Sequence, residues 1–145
     1  MDKKLTKKTD ELIAELTADS ADFEAYIEKN AGSLIEINLI DFWGKMIKKS
    51  GLTNGNIINR SNYSYYYFYE VINGKKIPSR DKIVSLILAM HLELEDCQTA
   101  LRYCGKSALY PKLERDSVLI YAISHCFSLQ ETNELLDKEG LQLLK

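Results

Sequence analysis

Short helical segments bounded by capping residues follow one another through the middle of this chain. Thr53, Ser64 and Ser79 each precede a run of apolar residues with helical spacing, and serine and threonine are preferred at helix N-caps. Gly74 and Gly105 follow such runs, at positions where glycine commonly ends a helix. Few residues are left for strands. The pattern predicts helices over residues 54–60, 65–73, 80–90 and 94–103.

Amphipathic segments precede this middle part. Residues 5–16 have helical spacing, and a second helix is predicted from a cap at Asp19 or Ser20 to the sequence Asn30-Ala31-Gly32. A third helix is predicted from a cap at Ser33 to Gly51. Its large apolar side chains are assigned to the core, and they include Phe42, Trp43 and Met46.

A repeat links the middle of the chain to its end. The segment 80–105 recurs in register 35 residues later, so that Arg80-Asp81 matches Arg115-Asp116 and Gly105 matches Gly140. Each copy has the pattern of a helix, a tight turn and a second helix that ends at glycine. We interpret the repeat as two helical hairpins, the second packed against the first.

Composition excludes several classes of protein. Apolar residues make up 46% and charged residues 28% of the 145 residues, which is typical of a globular protein. No run approaches the roughly 18 uncharged apolar residues of a membrane span. Three of the first five residues are charged, and no apolar segment follows them as in a secretion signal. We therefore expect a cytoplasmic protein with no membrane partner.

Neither catalysis nor metal binding is expected. Cys97, Cys104 and Cys126 form no Cys-x-x-Cys pair, and the two histidines do not complete a metal-ligand spacing with them. We interpret the three cysteines as small buried apolar residues. The sequence has no nucleophile-base pattern and no glycine-rich phosphate loop, so we predict a protein that is not an enzyme and has no cofactor.

Charge is distributed unevenly although the net charge is only −2. Residues 1–32 carry a net charge of −3, residues 33–79 carry +3, and residues 80–145 carry −2. A locally cationic segment can approach phosphates even in an acidic protein.

The segment 52–64, with Phe68, Asn73-Gly74-Lys75 and Pro78, resembles the lambda-repressor-like (Xre-type) family. In that family a Leu-Thr-Gln sequence opens the first helix of a helix-turn-helix, and an Asn-Gly loop and a proline follow the recognition helix. The spacing between these elements matches here without a gap. The family's turn glycine is Asn62 in this chain, a residue that can take the left-handed conformation.

The resemblance implies an all-α, lambda-repressor-like five-helix DNA-binding bundle with an N-terminal helical extension and a C-terminal helical hairpin. The corresponding segments are residues 1–32 for the extension, 33–106 for the helix-turn-helix domain and 107–145 for the hairpin. Asn54 stands where the family has a glutamine that contacts DNA. We expect double-stranded DNA as the partner. The candidate DNA-binding residues are Asn54, Ser64, Tyr65, Tyr66, Tyr69, Lys75, Lys76 and Arg80.

Five of the nine tyrosines fall between Tyr63 and Tyr69, and the predicted recognition helix contains Glu70 but no arginine or lysine. Tyrosine can contact phosphates and base edges, and it is also favoured at protein interfaces. A protein-interaction adaptor that uses the same tyrosines is therefore the alternative function.

A homodimer is expected because one helix-turn-helix module makes few specific contacts. The acidic N-terminal helices and the C-terminal hairpin are the candidate dimer surfaces. The hairpin is preferred, since its leucines would otherwise crowd an exposed face. These leucines are Leu135, Leu136, Leu141, Leu143 and Leu144.

Overall fold

The computed structural model describes residues 9–30 and 38–145, which form helices and turns with no strand among them. The prediction of an all-α protein is therefore confirmed for this part of the chain. The chain divides into two compact units, Met1–Ile37 and Asn38–Lys145. None of the described helices is long and apolar enough to cross a membrane.

The described residues of the first unit form two short helices, α1 (Thr9–Thr17) and α2 (Phe23–Lys29). The Asp22 carboxylate accepts hydrogen bonds from two amides in the first turn of α2. The predicted caps Asp19 and Ser20 are therefore wrong, because Asp22 is the residue whose side chain reaches those amides. The predicted start at residue 5 and the predicted end at residues 31–32 lie outside the described residues.

The second unit contains seven helices. They are α3 (Leu39–Ser50), α4 (Asn54–Arg60), α5 (Tyr65–Ile72), α6 (Arg80–Met90), α7 (Leu94–Tyr103), α8 (Glu114–Ser124) and α9 (Leu129–Lys138). Thr53, Ser64 and Ser79 cap α4, α5 and α6, and each side-chain oxygen accepts an amide hydrogen bond of 3.2 Å. These bonds satisfy amides that a helix start leaves unpaired, so the helices begin where the sequence predicts.

The third predicted helix is only partly described. α3 begins at Leu39, and the side chain of Asn38 caps it by accepting a hydrogen bond from the Asp41 amide. The predicted cap Ser33 lies outside the described residues. Gly51 ends α3 with a φ of 71°, a conformation that glycine adopts without a Cβ clash. Trp43 and Phe42 are buried, as predicted.

α6 lies at the centre of the second unit. Every residue from Ile83 to Met90 is buried, which requires neighbours on all sides of the helix. Four helices pack closely on it: α4, α7, α8 and α9. The predicted segments 33–106 and 107–145 therefore share one core in their described parts, because helices from both cover α6.

The predicted hairpin repeat is confirmed by matching contacts. The guanidinium of Arg80 pairs with Asp116 at 2.8 Å, and that of Arg115 pairs with Asp81 at 2.9 Å. Each arginine also donates to two backbone carbonyls after the second helix of its own hairpin. α6–α7 and α8–α9 are thus joined reciprocally, and each hairpin supplies one arginine and one aspartate.

The turns inside the two hairpins also match. His91 and Cys126, which are equivalent in the repeat, have φ angles of 51° and 56°. They are the two non-glycine residues with positive φ in the described part of the chain, so Asn62 does not take the left-handed conformation that asparagine allows. Ser61, the residue before Asn62, has an extended backbone.

The exposed leucine surface expected on the C-terminal hairpin is absent. Leu136 and Leu144 are buried in the core, and Leu135 and Leu141 are half-buried. Only Leu143 among the five is exposed, because α9 and the residues after it pack their apolar side chains inward.

The cysteines have no disulfide. Cys97 and Cys104 are buried, as predicted, and burial raises the pKa of each thiol. Cys126 is exposed, so that part of the prediction is wrong. Its place in the left-handed turn after α8 directs it away from the core.

Candidate nucleic-acid interface

α4 and α5 form a helix-turn-helix arrangement with residues 61–64 between them. Ile57 of α4 and Phe68 and Val71 of α5 are completely buried. Each such side chain contributes about 1.5–3 kcal/mol on burial, so the inward faces of both helices are firmly fixed. The opposite side of α5 is left at the surface.

The turn between the two helices is anchored to α6 through Lys82 and Tyr63. The Lys82 ammonium donates a 2.6 Å hydrogen bond to the carbonyl of Asn62, and the Tyr63 hydroxyl donates one of 2.8 Å to the carbonyl of Lys82. The same ammonium lies 5.1 Å from the ring centre of Tyr63 and 5.8 Å from that of Tyr67. Partial burial lowers the pKa of Lys82. These contacts tie the turn to α6.

Lys82 and the buried Tyr63 are positioning residues that the sequence analysis did not single out. Their partners lie about twenty residues apart along the chain, beyond any local pattern. The position of Tyr63 directly before the cap Ser64 was the available signal, because a large apolar residue there can anchor a helix start.

The tyrosine face consists of Tyr65, Tyr66 and Tyr69. Tyr66 is 81% exposed and Tyr65 is 62% exposed, whereas Tyr69 is half-buried. The ring of Tyr65 lies 4.7 Å from that of Tyr69 and 5.8 Å from that of Tyr66. The three rings thus form one connected aromatic surface on the outside of α5.

Asn54 and Ser64 lie next to this face. The Asn54 amide nitrogen is 3.5 Å from the Tyr69 hydroxyl, so the start of α4 meets the tyrosine face directly. Ser64 is exposed, but its hydroxyl oxygen already accepts the Tyr67 amide as the cap of α5. Ser64 therefore has a structural role that is independent of any ligand.

Lys75 and Lys76 follow α5 and are exposed. The amides of both residues donate to the carbonyl of Glu70, at 2.9 and 3.2 Å, which holds the loop against the end of the helix. Gly74 has a φ of 75°, and a Cβ there would lie 3.3 Å from Ile40. A glycine is therefore needed to place the two lysines where they are.

Contrary to the sequence prediction, Arg80 is not free to contact phosphate, because its guanidinium is bonded within the protein. Its guanidinium donates two hydrogen bonds to Asp116 and one each to the carbonyls of Ser107 and Ala108. The hydrogen bonds to Asp116 raise the pKa of Arg80 despite its partial burial. A phosphate would have to compete with a carboxylate that is already paired, so we leave Arg80 out of the proposed interface.

Tyr67 lies away from the tyrosine face, with its ring 5.2 Å from that of Tyr63, and both Tyr67 and Glu70 are half-buried. Burial and, to a smaller extent, the negative charge of Glu70 raise the pKa of Tyr67. The hydroxyl of Tyr67 therefore stays protonated at neutral pH and can donate a hydrogen bond.

A separate open groove of about 990 Å³ lies at the ends of α4 and α6 and beside α9. Asn59, Arg60, His91 and Glu134 are among its lining residues, and none of the predicted DNA-binding residues is. In the described ranges, no three histidine, cysteine or acidic side chains are grouped so that they could hold a metal ion.

No family model, no curated protein and no solved structure matches this chain. The functional argument therefore depends on the geometry of α4, α5 and the loop that follows them.

Proposed function

We propose that this protein is a sequence-specific DNA-binding transcriptional regulator whose α5 enters the major groove. The observation that carries the proposal is the exposure of Tyr65 and Tyr66 on a helix whose other side is buried. A helix that is fixed on one side and exposed on the other can lie in a groove about 12 Å wide.

The tyrosine face and the loop lysines have different roles in this proposal. Tyrosine hydroxyls can hydrogen-bond to base edges or phosphates, and the rings can contact thymine methyl groups. Lys75 and Lys76 follow α5 directly and contact the phosphate backbone without reading sequence. Asn54 takes part from the start of α4 because it already touches Tyr69. The protein binds as a homodimer, so that two such modules read two half-sites.

The test is to select binding sites from a random double-stranded DNA library and then to measure affinity for the enriched sequence over a series of salt concentrations. Tyr66→Ala is expected to weaken binding to the selected site by about 5-fold or more, because a base contact contributes about 1–3 kcal/mol. Replacing Lys75 and Lys76 with alanine is expected to weaken binding to all sequences and to reduce the salt slope by about 2.

Matched controls are available on the same unit. Tyr110 is 50% exposed and Lys112 is exposed, and both lie in the loop before α8. Tyr110→Ala and Lys112→Ala should bind the selected DNA like the unaltered protein. The proposal is wrong if no sequence is enriched, if the protein does not bind DNA at low salt, or if the two loop lysines can be removed without loss.

The lack of arginine and lysine in α5 favours one other function, a protein-interaction adaptor. Exposed tyrosines on a helix without basic residues are also suited to a protein partner. Capture of a partner that is lost in both Tyr66→Ala and Tyr69→Ala, together with no DNA binding at low salt, would support the adaptor over the regulator. Capture that both variants leave unchanged would exclude the tyrosine face as its interface.

A further inference from the structure

The open groove at the ends of α4 and α6 carries charges of opposite sign on its two sides. Arg60, the last residue of α4, lines one side, and Glu134 and Asp137 of α9 line the other. The spacing of the two acidic residues places them on one face of α9. All three residues are exposed. The groove therefore has a cationic side and an anionic side.

These charges are not neutralised by other side chains. In the part of the chain that the structure describes, Arg60, Glu134 and Asp137 belong to no ion pair. The first hairpin differs in this respect, because the Lys49 ammonium at the end of α3 binds the Asp96 carboxylate of α7 at 2.9 Å. At the groove, the charged groups of α4 and α9 remain free to bind a ligand.

Asn133 adds an oriented hydrogen-bond donor to the lining of the groove. Its side-chain oxygen accepts a 2.8 Å hydrogen bond from the Leu144 amide, which sets the orientation of the side chain. The equivalent residue of the first hairpin, Gln98, bonds Leu109 through both its oxygen and its nitrogen. The shorter Asn133 makes one of these two bonds, and its amide nitrogen has no partner among the described residues. That nitrogen can donate to a ligand.

The rest of the lining suits a peptide. Asn59 and Gln130 also carry carboxamides, which can both donate to and accept from a peptide bond. Leu88 and Ala89 line the groove although they are almost completely buried, so they form an apolar floor. The volume of about 990 Å³ lies at the upper end of the range for ligand sites, about 300–1,000 Å³, and can hold a ligand of several residues.

We propose that this groove binds a short peptide with free termini, its ammonium group against Glu134 and Asp137 and its carboxylate against Arg60. A ligand with charge of only one sign would meet a like charge on one side of the groove. A zwitterion avoids this, and the carboxamides can pair with its peptide bonds. The proposal does not depend on the proposed function, because no candidate DNA-binding residue lines the groove.

The first experiment titrates the full chain, labelled with nitrogen-15, with mixtures of tripeptides that have free termini. We expect at least one mixture to shift the amide signals of residues 59–61 and 128–134 in the nuclear magnetic resonance spectrum. A tripeptide isolated from that mixture should bind in calorimetry. The proposal is wrong if no mixture shifts these signals.

Substitutions of the charged residues test the contacts of that tripeptide. Arg60→Gln and the double variant Glu134→Gln/Asp137→Asn should each weaken binding by about 10-fold, because each removes a charged hydrogen-bond partner. Arg102→Gln and Glu139→Gln are the matched controls, since both residues are exposed and neither lines the groove. The controls should bind like the unaltered protein. Groove variants that bind no worse than the controls would overturn the proposal.

Blocked forms of the same tripeptide test its orientation. Amidation of its carboxyl end should weaken binding to the unaltered protein by about 10-fold and to Arg60→Gln little further, because the charge that it meets is already removed. Acetylation of its amino end should behave in the same way with Glu134→Gln/Asp137→Asn. Blocked and free peptides that bind equally well would show that the charged sides of the groove hold no ligand. The spectra of the variants verify that they are folded.

Discussion

Arg80 and Asp116 form an ion pair that joins α6 to α8 across the centre of the second unit. The side chain of Asp116 is 4% exposed and that of Arg80 is 25% exposed. Asp116 also accepts a 3.0 Å hydrogen bond from the amide of Tyr110. A carboxylate in this setting is satisfied by charge and by hydrogen bonds, and removing it would leave both the Arg80 guanidinium and the Tyr110 amide without their partner.

The repeat makes this pair directly comparable with its equivalent. We expect Asp116→Ala to lower the free energy of unfolding by about 3 kcal/mol, since Asp116 is almost completely buried and its loss leaves both Arg80 and the Tyr110 amide without a partner. Asp81→Ala, the matched control, should cost about 1 kcal/mol, because the side chain of Asp81 is 24% exposed and water can take its place beside Arg115. Urea denaturation measures both losses of free energy. Equal losses would show that the burial of the aspartate does not determine what the ion pair contributes.

The same aspartate predicts a dependence of stability on pH. The hydrogen bonds from Arg80 hold the pKa of Asp116 below its usual value of 3.8, although burial alone would raise it. The unfolded chain therefore takes up this proton first as the pH falls. The stabilisation by ionised Asp116 is complete above the unfolded pKa and is lost as the pH falls through the folded pKa.

Comparison of the unaltered protein with Asp116→Asn isolates this effect. The difference in the free energy of unfolding should be constant from pH 7 to about pH 5 and should shrink below about pH 4. Urea titrations at a series of pH values measure it. A difference that grows as the pH falls would show that Asp116 is protonated in the folded state at neutral pH.

At the scale of the element, the capping residues explain how well the helices could be predicted. Ser79 caps α6 at the predicted residue because a serine oxygen and an amide three residues later are a local pair. The exposure of Tyr65 and Tyr66 was predictable in the same way, since Phe68 and Val71 occupy the opposite side of α5.

The errors in the prediction arise from contacts that are distant along the chain. Arg80 was assigned to phosphate because Asp116, its partner, lies 36 residues away. Leu136 and Leu144 were expected at the surface because their periodicity indicates an apolar face but not what covers it. Tyr69 is half-buried for a similar reason, since Asn54 reaches it from α4.

The matching turns after α6 and α8 carry strain that glycine would relieve. His91 and Cys126 have φ angles of 51° and 56°, where a side chain costs about 1–2 kcal/mol. Glycine removes this cost but loses more conformational entropy on folding, by about 0.5–1 kcal/mol. His91→Gly and Cys126→Gly should each raise the free energy of unfolding by about 0.5–1 kcal/mol.

His125→Gly is the control for these two variants. His125 has a φ of −105°, so glycine relieves no strain there and should lower the free energy of unfolding. Thermal unfolding of the three variants tests the prediction. It would be contradicted if His125→Gly were stabilising to the same extent as His91→Gly.

At the scale of the whole molecule, the two hairpins and the helix-turn-helix depend on one another. α6 supplies the face on which α4 packs, and its other sides are covered by α7, α8 and α9. The boundary expected between residues 106 and 107 therefore falls inside a shared core. The sequence could indicate the repeat but not that helices of both hairpins pack on α6.

This dependence predicts how fragments of the chain behave. Residues 38–145 form one compact unit with its own core, so this fragment should unfold in a single cooperative transition by circular dichroism. Residues 38–106 contain every helix of the predicted DNA-binding bundle, yet this fragment should lack such a transition and bind a hydrophobic dye. Without α8 and α9, the buried apolar side chains of α6 face water and Arg80 loses Asp116. A cooperative transition in the shorter fragment would mean that the C-terminal hairpin is only an attachment to a self-sufficient helix-turn-helix domain.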